Sequence, residues 1–502
     1  MSVFAALPRS RGPFTIAVCF LTLIGAFLRA YALGGQSLWF EEVCSWHSAS
    51  YSTFAGLWQG DRAWNFYPPG YRLLLNGIMS LFGDAEWILR LPSAIAGVLA
   101  VPMIYILGAR LFSEREGLVA AGILSLSVFP IYYAQESRPY SLLILSVIAS
   151  SVAWTWIIEA WTEKRSAPLL VLIGCFTANV ACAYLHYFGL FFVFLQGIVS
   201  FLLCARNFSG LARAGSFYLL SAIAFAPWLP TMLWQFRRQE VGPQNPKPGA
   251  NIVVSFYEFI KGLFSHGQMD TRVADVIAGF VLVALIIAML RALLDIRAGD
   301  PPTRRKQIAF AAVIAVWLFA PFLFAYVKST FSASVYTHRN LSITLPAIYL
   351  LAARGLLSVP FPNLGRVAVG VLLVIAAMAR LLTSAYYTAP HKDQLREAVA
   401  FVRAQEHAAP NALLVTYSNL PFTFDYYLQR QGSALRSELV AGRAEHIESM
   451  RQLVRSRRPD VVWYICTDPY PENAFVDYLN TEFAIVGVQQ LLRVNVFQLI
   501  PR

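Results

Sequence analysis

Two adjacent carboxylates, Glu41 and Glu42, end the string Ser37-Leu38-Trp39-Phe40-Glu41-Glu42, just past the first long apolar run of the chain. Acids are otherwise kept out of the hydrophobic segments, and ionisable groups at membrane depth are costly and usually functional. On a helix, neighbouring side chains point about 100° apart around the axis. The two carboxylates therefore cannot address one atom. One faces a reaction centre, and the other holds an arginine or the loop backbone. Two like charges this close also oppose each other's ionisation, which suits a general base.

Four arginines, Arg29, Arg90, Arg138 and Arg339, fall near the same boundary of the apolar segments. The guanidinium fork matches phosphate, and a lipid phosphate sits at that depth. Three further polar stations lie on that side by the count of apolar runs. They are Tyr132-Tyr133-Ala134-Gln135-Glu136-Ser137-Arg138-Pro139-Tyr140, Leu185-His186-Tyr187-Phe188, and the stretch ending Tyr336-Thr337-His338-Arg339-Asn340. Tyr133, Gln135 and Glu136, with Tyr67 and His338, are placed to line a substrate groove, although His186 and His338 both also read as packing or interfacial groups. Carboxylate and arginine together at a lipid surface suit group transfer from a lipid-linked phosphate to an acceptor.

The elements that position these residues read from composition. The 502 residues are 57% hydrophobic and only 14% charged, with a mean hydropathy of +0.54, well below the roughly 25% charged residues of soluble domains. A spanning helix needs about 20 mainly apolar residues. Runs of that kind fall at 14–33, 89–111, 117–135, 139–161, 167–185, 187–205, 215–234, 274–293, 308–327, 341–359 and 366–387, which predicts about eleven spans. The net charge of +12 is gathered at span ends rather than on a soluble face, which argues against a nucleic-acid partner. Arg110, Arg115, Lys164, Arg165, Arg206, Arg213, Arg304 and Arg305 fall in alternate loops. This places the N-terminus in the cytoplasm of a cell (inner) membrane protein; the long loop 235–273, with five basic residues, runs against the pattern. The N-terminal run is long enough to span and reads as an uncleaved first helix.

The first outer loop, 34–88, holds apolar stretches such as Leu73–Phe82 that suit interfacial helices. Charges become frequent after Pro390 and no spanning run follows. The chain thus divides into a membrane domain, 1–388, and an extracytoplasmic α/β domain, 389–502. Within the latter, 391–407 and 444–457 read as helices. The runs 411–417, 461–466 and 483–499 read as strands. The six cysteines show neither metal-ligand spacing nor a disulfide framework.

Several of these strings occur in a familiar order. Arg29 is followed by a short spacer and Ser37-Leu38-Trp39-Phe40-Glu41-Glu42. Then come Tyr67-Pro68-Pro69-Gly70-Tyr71, the stretch Phe82 to Ser93 containing Arg90, Gln135-Glu136-Ser137-Arg138-Pro139-Tyr140, and Arg339 with Pro346. The series resembles the polytopic GT-C glycosyltransferases of family 39, the group of the protein O-mannosyltransferases and the lipid A aminoarabinose transferase. The resemblance covers about 1–360 and implies a polytopic α-helical GT-C fold. It implies an inverting transferase that moves a sugar from a polyprenyl-phosphate donor to a lipid, glycan or protein acceptor on the extracytoplasmic face. Membrane lipids would be further partners. In the family pattern the first acid of the loop pair is Asp and acts as base; here that position is Glu41, one methylene longer. The family's His before Pro-Pro is also replaced, by Asn65, Phe66 and Tyr67. No cofactor follows from the pattern, and there is no dedicated metal cage, although the carboxylates could hold a divalent cation with the donor phosphate. The alternative reading is a transporter or flippase of lipid-linked sugars. Ion-coupled transporters place acids near the bilayer midplane, whereas Asp275 and Glu159 fall at span ends.

Overall fold

The computed structural model describes residues 12–59, 66–238, 246–265, 271–359, 386–406, 411–418, 420–440, 442–467 and 471–502. In chain order the helices are α1 (Gly12–Ala30), α2 (Phe40–Ala49), α3 (Phe54–Gln59), α4 (Gly70–Phe82), α5 (Glu86–Leu111), α6 (Glu114–Leu126), α7 (Val128–Ala134) and α8 (Tyr140–Thr162). They continue as α9 (Leu169–Leu185), α10 (Tyr187–Cys204), α11 (Phe208–Phe225), α12 (Leu229–Arg238), α13 (Ile252–Ser265), α14 (Thr271–Ala298), α15 (Pro301–Phe331) and α16 (Leu345–Ser358). Among the described residues eight helices are long and apolar enough to cross a membrane, or nine if α6 and the bent-away α7 form one span. The 17 residues of α9 are apolar but shorter. The expected run 366–387 falls largely outside the described residues, so these yield a lower count than the eleven read from hydropathy.

The chain divides into two compact units. The first comprises 1–31, 51–80 and 90–384, and the second Ala32–Ser50, Leu81–Leu89 and Ala385–Arg502. In the first unit the core is built from Val101, Leu107, Leu124, Val147, Phe259 and Ile348 with many others, while large apolar side chains such as Phe20, Leu170 and Leu290 stay exposed on the outside of the helices. That distribution is what lipid as solvent permits. Small residues bring backbones together. A Cβ added at Gly108 of α5 would lie 2.6 Å from Cα of Gly117 on α6. At Gly355 of α16 it would fall on the backbone carbonyl of Ala284 in α14. Gly355→Ala is therefore expected to lower stability by the about 1–3 kcal/mol typical of overpacking, measurable as a lower melting temperature in detergent; an unchanged melt would show that α14 and α16 have room to separate.

The bend between α6 and α7 is 58°. Pro130 sits in the first turn of α7, where it has no N–H to give the Leu126 carbonyl and its ring crowds that group. Ser127 is accordingly extended, with φ −68° and ψ 137°. The carbonyls just before the break need other donors, and Arg29 of α1 supplies them. Its guanidinium donates to the carbonyls of Leu124 (2.9 Å) and Ser125 (3.0 Å), and to Gly25 one turn back on α1 (3.1 Å). At the far ends of α5 and α8, Arg110 and Glu159 form a buried ion pair, which Thr155 joins at 2.9 Å.

In the second unit five strands form one sheet: β1 (Ala412–Tyr417), β2 (Ser437–Leu439), β3 (Val461–Thr467), β4 (Phe483–Leu491) and β5 (Val494–Pro501), in the order β2-β1-β3-β5-β4. β1 is parallel to both β2 and β3, with Val415 beside Tyr464, whereas β5 runs antiparallel to β3 and β4. The inner strands β1 and β3 are buried along nearly their whole length, as strands covered on both faces are. Edge strand β4 has an exposed run with a register shift between Ile485 and Gly487. Helices Leu395–Gln405, Ile447–Arg457 and Asn473–Glu482 lie close to the stretches expected to be helical or between strands. Asp425–Arg430 and β2 are elements the sequence pattern did not predict.

Candidate functional site

Glu41 and Glu42 occupy the first turn of α2, where the helix dipole favours negative charge. Trp39 is the N-cap residue, and Glu42, three positions on, reaches back so that its Oε2 accepts from the Trp39 amide at 3.4 Å. This is the reciprocal half of a capping box. The same Oε2 accepts from Nζ of Lys392 at 3.0 Å, and both side chains are essentially buried, at 0% and 2% exposure. Glu41, one position earlier, is half-buried. Glu42 thus holds the backbone and a buried cation, and Glu41, as its neighbour on the helix, stands about 100° away around the axis.

The strand of chain before α2 is stitched down by residues some 350 positions further on. Gln36 donates to the Ala389 carbonyl at 3.0 Å and accepts from the His391 amide at 3.1 Å. The Arg396 amide donates to Ser37 Oγ, and its guanidinium bridges the Gly35 carbonyl (2.7 Å) and Glu86 (3.0 Å). Tyr427 OH accepts from the Leu38 amide at 2.6 Å and donates to Glu86 at 2.5 Å. Burial, then the Glu86 charge, pushes that phenol well above its ordinary range. Asp393 accepts from the Phe40 amide at the start of α2. Further along α2, Trp46 donates to Asp84 at 3.1 Å, and Asp84 also meets Arg430 at 3.2 Å. None of Lys392, Asp393, Arg396, Tyr427 and Glu86 was singled out from the sequence. The one signal was that Lys392 and Asp393 stand just past the change in composition at Pro390.

The first unit gathers a second set of the expected residues. Arg138 lies in the turn before α8, and its own carbonyl accepts from Ser93 Oγ at 2.8 Å. Its guanidinium lies over the rings of Tyr67 (5.1 Å) and Tyr140 (5.8 Å), whose hydroxyls are 3.4 Å apart. Next to it Glu136 and Ser137 are fully buried, and Tyr71 OH is 3.2 Å from Ser137 Oγ. Tyr133 packs edge-on to Tyr140 at 4.9 Å. His186, in the turn between α9 and α10, packs on Tyr67 (5.2 Å) and Tyr140 (5.9 Å), and it feels the charges of both Arg138 and Arg339. Arg138, Arg339, Tyr67, Tyr140 and His186 thus form one cationic, aromatic group.

Other expected residues sit elsewhere. Arg29 serves the carbonyls at the α6–α7 bend. Gln135 caps the end of α1, donating to the carbonyls of Tyr31 (2.8 Å), Leu28 and Arg29 (both 3.3 Å). His338 stacks on Phe259 of α13, against Gly262 and near the Glu258 carbonyl at 3.3 Å, and burial lowers its pKa. Arg90 is buried at the start of α5. Residue type and spacing could not separate these roles, because an arginine at a span end serves a phosphate or a broken helix equally well. A test follows for Arg29. A hydrogen bond to a charged group contributes about 1.5–3 kcal/mol, so Arg29→Met is expected to lower the melting temperature strongly; unfolding followed in detergent at the wild-type temperature would show that the bend holds without it.

A cavity of about 220 Å³ opens among α5, α8, α10 and α15, lined mostly by apolar groups such as Leu107, Phe192 and Trp317. On α8 it begins at Ser151, eleven residues beyond Tyr140, or roughly 16 Å along the helix. It is separate from the arginine cluster. Among the described residues no three His, Cys, Asp or Glu side chains group as metal ligands.

A bundle of apolar helices with polar turns at one end of α8 and α10, and a separate sheet-bearing unit, are the elements of a GT-C fold. Residues 67–234 match the family described as dolichyl-phosphate-mannose-protein mannosyltransferase. The fold is similar to that of ArnT from Cupriavidus metallidurans bound to undecaprenyl phosphate, with a TM-score of 0.59 at 15% identity, covering 97% of this chain and 98% of that one. It is also similar to the oligosaccharyltransferase AglB from Archaeoglobus fulgidus in complex with an inhibitory peptide and a dolichol-phosphate, with a TM-score of 0.54 at 11% identity, covering 90% and 69%. No curated protein matches in sequence. The family match covers 67–234, about a third of the chain, and the similarity over nearly the whole chain is one of fold, the GT-C fold of these membrane proteins.

Proposed function

We propose that the protein transfers a sugar from a polyprenyl-phosphate donor to a hydroxyl or amine acceptor, with inversion at the anomeric carbon and Glu41 as general base. The acceptor's oxygen or nitrogen attacks the anomeric carbon as its proton passes to the Glu41 carboxylate. The bond from that carbon to the phosphate oxygen breaks, and polyprenyl phosphate leaves with its negative charge; for such an anion the first unit by itself offers Arg138 and Arg339, with Arg90 as a further candidate. The observation that carries this reading is the split within the acidic pair. Glu42 is committed to Lys392 and the Trp39 amide, and Glu41 is the carboxylate turned away from them. The ligands of the similar structures, undecaprenyl phosphate and dolichol-phosphate, support a lipid phosphate as the donor's leaving group. No step in this scheme runs through a metal.

The proposed orientation has the N-terminus in the cytoplasm and the sheet-bearing unit outside. Membrane domain 1–388 and domain 389–502 remain the proposed division of the chain by function. The deciding experiment reconstitutes the protein in lipid nanodiscs with polyprenyl-phosphate sugars and a panel of lipid, glycan and peptide acceptors, following release of polyprenyl phosphate. Acceptor-dependent release supports the reading. Movement of intact donor across a vesicle membrane without release would favour a flippase instead. Labelling of a C-terminal tag from the cytoplasmic side would overturn the orientation.

A further inference from the structure

We infer that His186 is a ligand of the donor phosphate: its Nε2–H, which shares the rings of Tyr67 and Tyr140 with Arg138, adds a hydrogen-bond donor to the guanidinium charge. This rests on the donor-phosphate reading above and names a residue that the sequence pattern had put down to packing.

His186 has extended backbone, with φ −162° and ψ 145°, and is the N-cap residue of α10. In that position its Nδ1 accepts from the Phe188 amide at 3.1 Å. A neutral imidazole whose Nδ1 accepts must carry its proton on Nε2. The helix cap therefore fixes the tautomer, as a second hydrogen bond at a histidine generally does. The residue is 3% exposed, and Nε2 is buried without a hydrogen-bond partner among the described residues. Asn340, whose amide nitrogen donates to the Val335 carbonyl at 2.9 Å, stands beside the ring with its oxygen as a competing acceptor, and its effect on the imidazole is smaller than those of burial and of the two arginines. Burial first, then the charges of Arg138 and Arg339, push the imidazole pKa down to about 3. The ring is thus uncharged at any physiological pH and still a donor.

A buried donor with no acceptor is unfavourable, and this one lies beside the same tyrosine rings as the Arg138 guanidinium and within the field of Arg339. A phosphate oxygen brought to the two guanidiniums would supply the acceptor that Nε2 lacks. Tyr67 and Tyr140, which frame both His186 and Arg138, hold the ring and the guanidinium in one aromatic setting. Neutrality has a use. A directional donor orients the phosphate without adding a third charge that would slow release of the polyprenyl phosphate product.

The test compares binding of undecaprenyl phosphate and of undecaprenol, with inorganic phosphate as competitor, by the full-length protein in nanodiscs. His186→Asn keeps the helix cap and loses the distal donor. His186→Gln places an amide nitrogen where Nε2 stands, and His186→Phe keeps only the ring. The Asn and Phe variants are expected to bind the phosphate lipid about tenfold or more weakly, tenfold being about 1.4 kcal/mol, with undecaprenol affinity unchanged in both, melting temperature unchanged in the cap-keeping Asn variant, and Gln recovering most of the loss. A merely structural role would move melting temperature and both lipids together. The ratio of wild-type to Asn-variant affinity should be flat from pH 6 to 8; a step there would overturn the neutral donor. Competition by inorganic phosphate that weakens in the Asn variant supports the same ligand role for free phosphate. Wild-type affinity for the phosphate lipid in the Asn and Phe variants would overturn the assignment of His186 alone. A wild type that does not prefer phosphate to alcohol would overturn the donor-phosphate reading, and this inference with it.

Discussion

Glu41→Gln is expected to lower the rate of sugar transfer by about 10²–10⁴-fold, the range of a positioned general base, while donor affinity stays near wild type. The amide is isosteric and keeps the first turn of α2, but it cannot take the acceptor's proton. Glu42→Gln provides the contrast. Its oxygen still accepts from the Trp39 amide, the base remains, and the damage falls on stability through Lys392. The measurement is single-turnover release of polyprenyl phosphate beside direct donor binding. Transfer by Glu41→Gln at the wild-type rate would remove the base role from this residue; a loss confined to Glu42→Gln would move it one position along the helix.

Lys392→Met carries the second large effect. Glu42 and Lys392 are both buried, and their Oε2 and Nζ are 3.0 Å apart. Removing one partner of a buried pair leaves a charge without compensation and costs about 3–5 kcal/mol. The lost contact is also the one that anchors the start of α2, so Glu41 loses its setting as well. The double variant Lys392→Met with Glu42→Gln removes both charges and is expected to regain most of the melting temperature, because neutral groups in a buried pair's place are often no less stable. Thermal unfolding of the three proteins checks this. Equal melting of the single variant and wild type would show that the pair does not hold the helix.

The helical membrane fold was readable in advance because lipid requires apolar side chains over about 20 residues at a time. Ten of the expected runs coincide with described helices, and strands β1 and β3 stood out as short apolar runs rich in β-branched and aromatic residues. Where the outcome differed, a local reason exists. Asp425–Arg430 and β2 have six and three residues, too few to carry a periodic signal. The loop 235–273 broke the charge pattern because part of it is α13, whose Phe259, Ile260 and Leu263 enter the core while Lys261 pairs with Asp275 at 2.6 Å.

The residue types and their spacing led to an expectation of chemistry, carboxylates suited to deprotonate an acceptor and arginines suited to a phosphate, standing near the ends of apolar runs. The sequence also determined that adjacent Glu41 and Glu42 must divide their work, since helical geometry keeps neighbours from sharing a target. Folding decides which partners each carboxylate meets. Lys392, 350 positions beyond Glu42, selects it as the anchored carboxylate. Leu124 and Ser125, nearly 100 positions beyond Arg29, draw that guanidinium to a broken helix, while Arg138 and His186 share the rings of Tyr67 and Tyr140. The physical reason is that a charge takes its role from the partners that surround it after folding, and those partners are distant in the chain.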